Sequence, residues 1–300
     1  MRILISGSTG LVGTVLDMAL QAQGHAVARL VRSAPNPGHA EVRWDPAAGK
    51  IDEGGIEGVD AVVHLAGENV GARRWTATQK NKIRSSRVNG TRTLCEAIQR
   101  LKKPPASLLS ASAVGIYGDR GEETLTEASP AGAGFLPEVC VEWEKAAAPA
   151  AQRGIRVAHL RIGVVLSAQG GALGRMLLPF KLGLGGPIGA GRQYMSWISV
   201  DDAVRAISFV LDTKTLIGPV NLVAPRPVTN REFSKTLGRT LHRPAIFPMP
   251  AFAARLAFGE MADALLLASA RVVPGRLEAA GFSFAHPDLA TALKHILGRS

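Results

Sequence analysis

The reading of the fold rests on Arg2 to Ser6, RILIS, and the turn that follows it, Gly7 to Gly13, GSTGLVG. A short apolar run of this kind predicts a buried parallel strand. After the glycines, Leu11, Val15, Met18 and Ala19 recur at helical spacing, Gly24 supplies a stop, and His25 to Val31 reads as the next strand. The whole is a β-turn-α-β unit of the type that seats a dinucleotide pyrophosphate at a helix N-terminus. Gly7 permits the tight turn, Gly10 the close approach of phosphate, and Gly13 the packing of helix on strand. The backbone N–H groups of Thr9, Gly10, Leu11 and Val12 then face the anion. With 33 glycines in 300 residues, a glycine triplet alone says little. Its place, behind a strand and opening a helix, is what carries the inference.

The end of the second strand discriminates between cofactors. An NAD site usually places Asp or Glu there to bond the ribose 2′-hydroxyl. This chain has Val31, Arg32 and Ser33, and the next acid is Glu41. A cation at Arg32 suits a 2′-phosphate, so the expected cofactor is NADP.

Farther along, Gly58 to Gly67 (GVDAVVHLAG) repeats the strand-then-glycine pattern, and an amphipathic helix is expected from about Thr76 to Leu101. Ser107 to Ser112 reads as a strand, Phe135 to Arg153 as a helix, and Arg156 to Ile162 as another strand. This alternation predicts an α/β doubly wound parallel sheet of the Rossmann type. Residues 1–165 are assigned to the cofactor domain, with 199–222 returning to it, and 166–300 mainly to a smaller C-terminal substrate lobe. Within that lobe the glycine-dense run from Ser167 to Gly191 suits a pocket-lining loop. A strand at Pro219 to Leu222, a helix from Asn230 and a proline-punctuated linker at Pro244 to Pro250 follow. Ala251 to Leu267 reads as an apolar helix that closes over the substrate or forms a homodimer contact; the sequence leaves both open.

Composition narrows the function. Two cysteines, Cys95 and Cys140, exclude a disulfide framework and any four-cysteine zinc module, and fit a cytoplasmic protein. Dispersed histidines give no metal-ligand spacing. No apolar run is long enough to span a bilayer, and the N-terminus lacks the form of a signal peptide. The formal charge of +11 comes from 25 Arg and 10 Lys without any long basic block. Nucleic acid is therefore not the expected partner; an anionic small molecule is.

Several motifs occur in order: Gly7-x-x-Gly10-x-x-Gly13, His64-Leu65-Ala66-Gly67, Asn89-Gly90-Thr91, Ser110-Ala111-Ser112 before Tyr117-Gly118, and Trp197 to Asp202. With them the chain resembles an extended short-chain dehydrogenase/reductase. More narrowly, Gly67-Glu68-Asn69, Arg74-Trp75, the run GGALGRMLLPFKLGLGGPIGAGRQYMSWI and the tail LLLASARVVPGRLEAAGFSFAHPDLATAL resemble an atypical branch. That branch is the NAD-dependent epimerase/dehydratase proteins with their own C-terminal domain of undefined role. The resemblance covers nearly the whole chain. It implies cofactor contacts at the glycine turn, Val31, Arg32, Leu65, Ala66, Lys82, Arg87 and Val165.

The catalytic pattern of the superfamily is broken. Its Tyr-x-x-x-Lys pair moves the substrate proton while hydride passes to or from nicotinamide. The only tyrosines are Tyr117 and Tyr194, and Gly121 and Ile198 stand four residues beyond them. If Lys145 is the motif lysine, Val141 replaces the tyrosine; anchored on Glu144 instead, the positions hold Leu136 and Cys140. Ser112 is the candidate for bonding a carbonyl or hydroxyl at the nicotinamide, although the spacing to Tyr117 also allows Ala113 that place. Tyr117 is a substitute acid only if its ring turns into the pocket. The expected function is an NADP(H)-binding oxidoreductase or epimerase-like enzyme of a small polar substrate. The alternative is a catalytically degenerate NADPH-sensing regulator.

Overall fold

Alternation within the strands decides which residues face which layer. The computed structural model describes residues 1–298. Along it, β1 (Arg2–Ser6), α1 (Leu11–Ala22) and β2 (Ala26–Val31) lead into a hairpin of β3 (Glu41–Asp45) and β4 (Lys50–Ile51). Then come α2 (Glu53–Ile56), β5 (Ala61–His64), the long α3 (Ala77–Arg100), β6 (Ser107–Ala113) and β7 (Thr124–Leu125). Two helices, α4 (Phe135–Lys145) and α5 (Ala148–Gln152), precede β8 (Arg156–Ile162) and β9 (Val164–Leu166).

The main sheet has eight strands in the order β12-β8-β6-β5-β1-β2-β3-β4, where β12 is Gly218–Leu222. All neighbours pair in parallel except β4, which closes the edge antiparallel to β3. Ile3, Ile5, Ala61, Val63, Leu109 and Leu160 point to one face, against Leu16 and Leu20 of α1 and the helix Val200–Asp212. Leu4, Leu30, Val62, Leu108 and Val157 point to the other, against Leu94, Cys95 and Ile98 of α3 and Ala150 of α5. Each fully buried Leu, Ile or Val side chain contributes about 1.5–3 kcal/mol. Both faces are covered, which is why these strands are apolar throughout.

The remaining elements lie beyond β9. They are α6 (Gly171–Lys181), β10 (Tyr194–Met195), β11 (Trp197–Ser199), α7 (Val200–Asp212), β13 (Val228–Thr229) and α8 (Asn230–Leu241). They end with α9 (Ala251–Phe258), β14 (Arg271–Val272), α10 (Gly275–Ala279) and α11 (Leu289–Ile296). A separate core unites Leu173, Leu177 and Phe180 of α6, Phe233 and Leu237 of α8, Leu289 and Leu293 of α11, and Trp197. Short ladders join β9 to β11, β10 to β13 and β7 to β14.

Four elements differ from the sequence expectation, and the first is α6, an 11-residue helix inside the Ser167–Gly191 run that the glycines suggested was all loop. The helix expected over residues 135–153 is two, because α4 stops at Lys145. Pro149, in the first turn of α5, lacks an N–H and its ring opposes the carbonyl four residues back. The apolar segment 251–267 is also divided: α9 ends before Gly259 at φ +62°, and a π turn spans Ala262–Leu267. The hairpin of β3 and β4 lies in a stretch the periodicity left unassigned.

Candidate functional site

The glycine turn is fixed by close approach. Gly7 has φ +72°, and a Cβ there would sit 2.9 Å from Ala66 N at the end of β5. A Cβ on Gly13 would lie 2.1 Å from Gly7 O, so α1 packs directly on the turn. Gly10 differs: its φ is −80° and its nearest obstacle is Gly7 O at 3.2 Å. What its missing side chain keeps open is space above the helix N-terminus. Thr14 is the first residue of α1 whose N–H reaches the cap carbonyl, Gly10 O at 2.9 Å. The N–H groups of Leu11, Val12 and Gly13 point into that open space, and Thr9 is exposed beside it. These residues fit a pyrophosphate.

At the end of β2, Val31 is half-buried and Arg32 is exposed. Arg32 has no hydrogen-bond or ion-pair partner among the described residues. Sheet register sets Val31 directly opposite Arg43 of β3, whose guanidinium is also exposed and without a partner among the described residues. Two free cations thus flank this strand end. Sequence reading found Arg32 and missed Arg43, because only the register of β3 brings it there.

The wall opposite the turn is built by Ser6. Its hydroxyl oxygen accepts from Leu65 N at 3.1 Å and Ala66 N at 3.2 Å, and lies 2.6 Å from His64 Nδ1. With two donors on that oxygen, the hydroxyl proton goes to Nδ1, and the imidazole carries its own proton on Nε2. Complete burial lowers the His64 pKa to about 4. A neutral histidine therefore holds the Leu65–Ala66 backbone against the glycine turn, with the edge of Trp44 against its ring at a centroid distance of 5.9 Å. Nearby, Val165 on β9 is half-buried, and Gly171 at the start of α6 approaches both Val165 O and Leu11 Cδ2.

Beyond β5, Arg87 of α3 lies against Gly67 and donates from Nη1 to Glu68 O at 2.9 Å and Ile83 O at 3.1 Å. Its guanidinium covers the Trp143 ring at 5.0 Å. Burial lowers its pKa, opposed by the nearby Cys140 and Glu68. Lys82, by contrast, is exposed on the same helix. The segment leading into α3, and the first turn of α3, are tied to elements beyond β9. Arg175 donates to Gly71 O, Arg74 Nη1 to Leu256 O at 3.2 Å, and Lys80 pairs with Glu260 at 2.7 Å.

The end of β6 carries a buried polar chain. Ser112 Oγ donates to Glu144 Oε1 at 2.7 Å. Arg161 grips the same carboxylate with Nε at 2.9 Å and Nη2 at 3.0 Å, a bidentate pair. Its Nη1 donates to the Tyr117 hydroxyl at 3.0 Å, and that hydroxyl donates to Asn221 Oδ1 at 2.7 Å. Burial pushes Glu144 up, but Arg161 and Ser112 outweigh it and hold the carboxyl below its ordinary value. Burial pushes the Tyr117 phenol up despite Arg161. The Tyr117 ring is fully buried. Glu144 and Arg161 lie on different elements, and no sequence spacing pairs them. Leu136 packs near Gly115, and the Cys140 thiol is pushed to about 12 by burial. Lys145 is exposed.

Comparison with known proteins agrees with this geometry. The model of the NAD dependent epimerase/dehydratase family matches residues 3–222, and a domain of unknown function, DUF1731, matches residues 249–296. An epimerase family protein of Mycobacterium bovis is 46% identical over 99% of this chain and 98% of its own. The human epimerase family protein SDR39U1 is 39% identical over 99% of this chain and 100% of its own. A crystal structure of that human protein (isoform 2) with NADPH superposes with a TM-score of 0.91 at 37% identity, covering 99% of each chain. By the extent of these matches, the chain belongs to the NAD dependent epimerase/dehydratase family.

Proposed function

We propose that the chain is an NADP(H)-dependent oxidoreductase or epimerase-like enzyme of a small polar substrate. The observation that carries the cofactor choice is the pair of unpartnered cations, Arg32 and Arg43, at a β2 end that offers no acid to a ribose hydroxyl. The NADPH in the human relative supports it. Gly7, Thr9, Gly10, Leu11, Val12 and Gly13 hold the pyrophosphate, Val31 with the two arginines the 2′-phosphoribose, and Leu65, Ala66 and Val165 the apolar faces. Bound there, the cofactor gives or takes a hydride at its nicotinamide.

The proton chemistry falls to other groups than a phenol. Ser112 directs its own proton to Glu144, so its free lone pairs accept from a substrate hydroxyl and orient it. Glu144, held ionised by Arg161, fixes that serine. Tyr117 is a positioning residue, bonded to Arg161 and Asn221 within the core. The half-buried cation of Arg87 supports an anionic or strongly polar group on the substrate.

A titration with NADPH and NADH tests the reading. Each arginine contributes a charge-assisted contact of about 1.5–3 kcal/mol, so Arg32→Glu and Arg43→Glu should each weaken NADPH binding at least tenfold and leave NADH nearly unchanged. Equal wild-type affinities for the two cofactors overturn the assignment. A second reading, an NADPH-sensing regulator, is favoured by the apolar pair Leu136 and Cys140 in one register of the superfamily's catalytic motif. Following NADPH absorbance across a panel of carbonyl substrates separates the two, since a regulator binds NADPH without turnover.

A further inference from the structure

At the start of α7, three side chains from distant parts of the sequence converge. Asp201 stands in the first turn of α7, His295 near the end of α11, and His286 in the loop between α10 and α11. One ligand atom from each lies within 4.8 Å of the other two. His295 Nε2 is 3.1 Å from Asp201 Oδ2. The two imidazoles stack with centroids 4.3 Å apart and planes 25° apart.

The backbone holds this geometry independently of the three side chains. Asp202, next to Asp201, is fully buried and accepts from Ala285 N and His286 N, both at 2.8 Å. Arg205 donates to Asp202 at 2.7 Å and to Ser283 O at 2.9 Å. Phe282 packs against Phe209 of α7 at 5.3 Å and against Phe284 at 4.8 Å. At the other end, Asp288 caps α11 by accepting from Thr291 N at 3.0 Å, which fixes the start of the helix that carries His295. The loop is thus pinned on both sides of His286.

We propose that Asp201, His286 and His295 form a binding site for a divalent transition-metal ion, zinc above all, which staples the C-terminal segment to α7. Two imidazoles and one carboxylate suit a borderline ion. Ligand atoms bound at about 2.0–2.1 Å in a tetrahedron stand about 3.3 Å apart. The Asp201–His295 edge, at 3.1 Å, is close to that length, and the other two close by rotation of the half-buried His286 and the exposed His295. Water takes the fourth position. The ion joins one ligand from the family-wide region 3–222 to two from the matched C-terminal domain 249–296. Its role is that of a staple, since its ligands come from α7, from α11 and from the loop before α11.

Chelator-treated protein titrated with zinc chloride against a colorimetric zinc indicator tests this. One zinc per chain with micromolar or tighter affinity is expected. Zinc at a hundredfold excess over Kd should raise the Tm by about 4 °C, given a chain of this size. His286→Ala and His295→Ala should each abolish both effects while keeping the zinc-free Tm and NADPH affinity. Cobalt(II) should give the visible absorption of a four-coordinate site, lost in the same variants. Zinc uptake that survives the double His286→Ala/His295→Ala substitution overturns the proposal, and so does the absence of micromolar binding by the wild type. Neither result bears on the cofactor assignment, which NADPH titration reads separately.

Discussion

Acid should loosen the cofactor cleft through one buried imidazole. His64 is completely buried, accepts the Ser6 proton at Nδ1, and titrates near 4 rather than the ordinary 6.5. Its folded-state pKa is depressed, so the neutral ring contributes stability in full above about pH 6.5, and that contribution is lost as pH falls through 4. A difference of this size corresponds to about 3 kcal/mol when fully lost, and to about 2 kcal/mol already lost at pH 5. With about 2.1 cal/mol/K of unfolding entropy per residue over a chain of 300, that means a Tm lower by about 3 °C at pH 5 than at pH 7 from this group alone. His64→Asn supplies the reference, because its Oδ1 can accept the Ser6 proton without titrating. Differential scanning calorimetry of both proteins at the two pH values isolates the effect, whatever the substitution costs in packing. The Tm difference between pH 7 and pH 5 should shrink by about 3 °C in His64→Asn. Equal differences in the two proteins refute the reasoning, and with it the account of how the Leu65–Ala66 wall is held.

Glu144→Gln leaves the buried Arg161 guanidinium without its counter-charge, and should cost about 3–5 kcal/mol, read as a lower urea midpoint. The double variant Glu144→Leu/Arg161→Met should lose less than Glu144→Gln, because neither charge is then stranded. Since Glu144 titrates low in the folded state, its contribution is present above the ordinary carboxylate range and lost as pH falls through the folded value. Gly13→Ala forces α1 off the turn, because its Cβ would overlap Gly7 O. NADPH affinity should fall at least tenfold, whereas Gly24→Ala, which meets nothing within 4 Å but carries φ +81°, should only lower the Tm slightly.

What the sequence could reveal followed from local chemistry. The glycine turn was legible because each glycine answers a local steric demand, and the central strands because burial on both faces leaves an apolar run. Capping is equally local: Ser199 Oγ accepts from Asp202 N, three residues on, at 3.0 Å. The break at Pro149 was legible in principle, yet the apolar pattern on both sides of it masked the interruption. Arg43 was out of reach because β3 is short and polar on one side, so that only pairing with β2 gives it a place. The Ser112–Glu144–Arg161–Tyr117–Asn221 chain joins β6, α4, β8, the turn after β6 and β12. Sheet order, which no spacing encodes, brings those five residues together. The convergence of Asp201 with two histidines more than eighty residues later has the same origin.

The three contacts that tie Gly71, Arg74 and Lys80 to elements beyond β9 set how rarely this side opens. Arg175–Gly71, Arg74–Leu256 and Lys80–Glu260 are exposed, and such contacts are worth about 1 kcal/mol apiece. Undoing all of them costs roughly 3 kcal/mol, which leaves an open form populated at somewhat under one part in a hundred. Salt, which weakens the Lys80–Glu260 pair, should raise that population further.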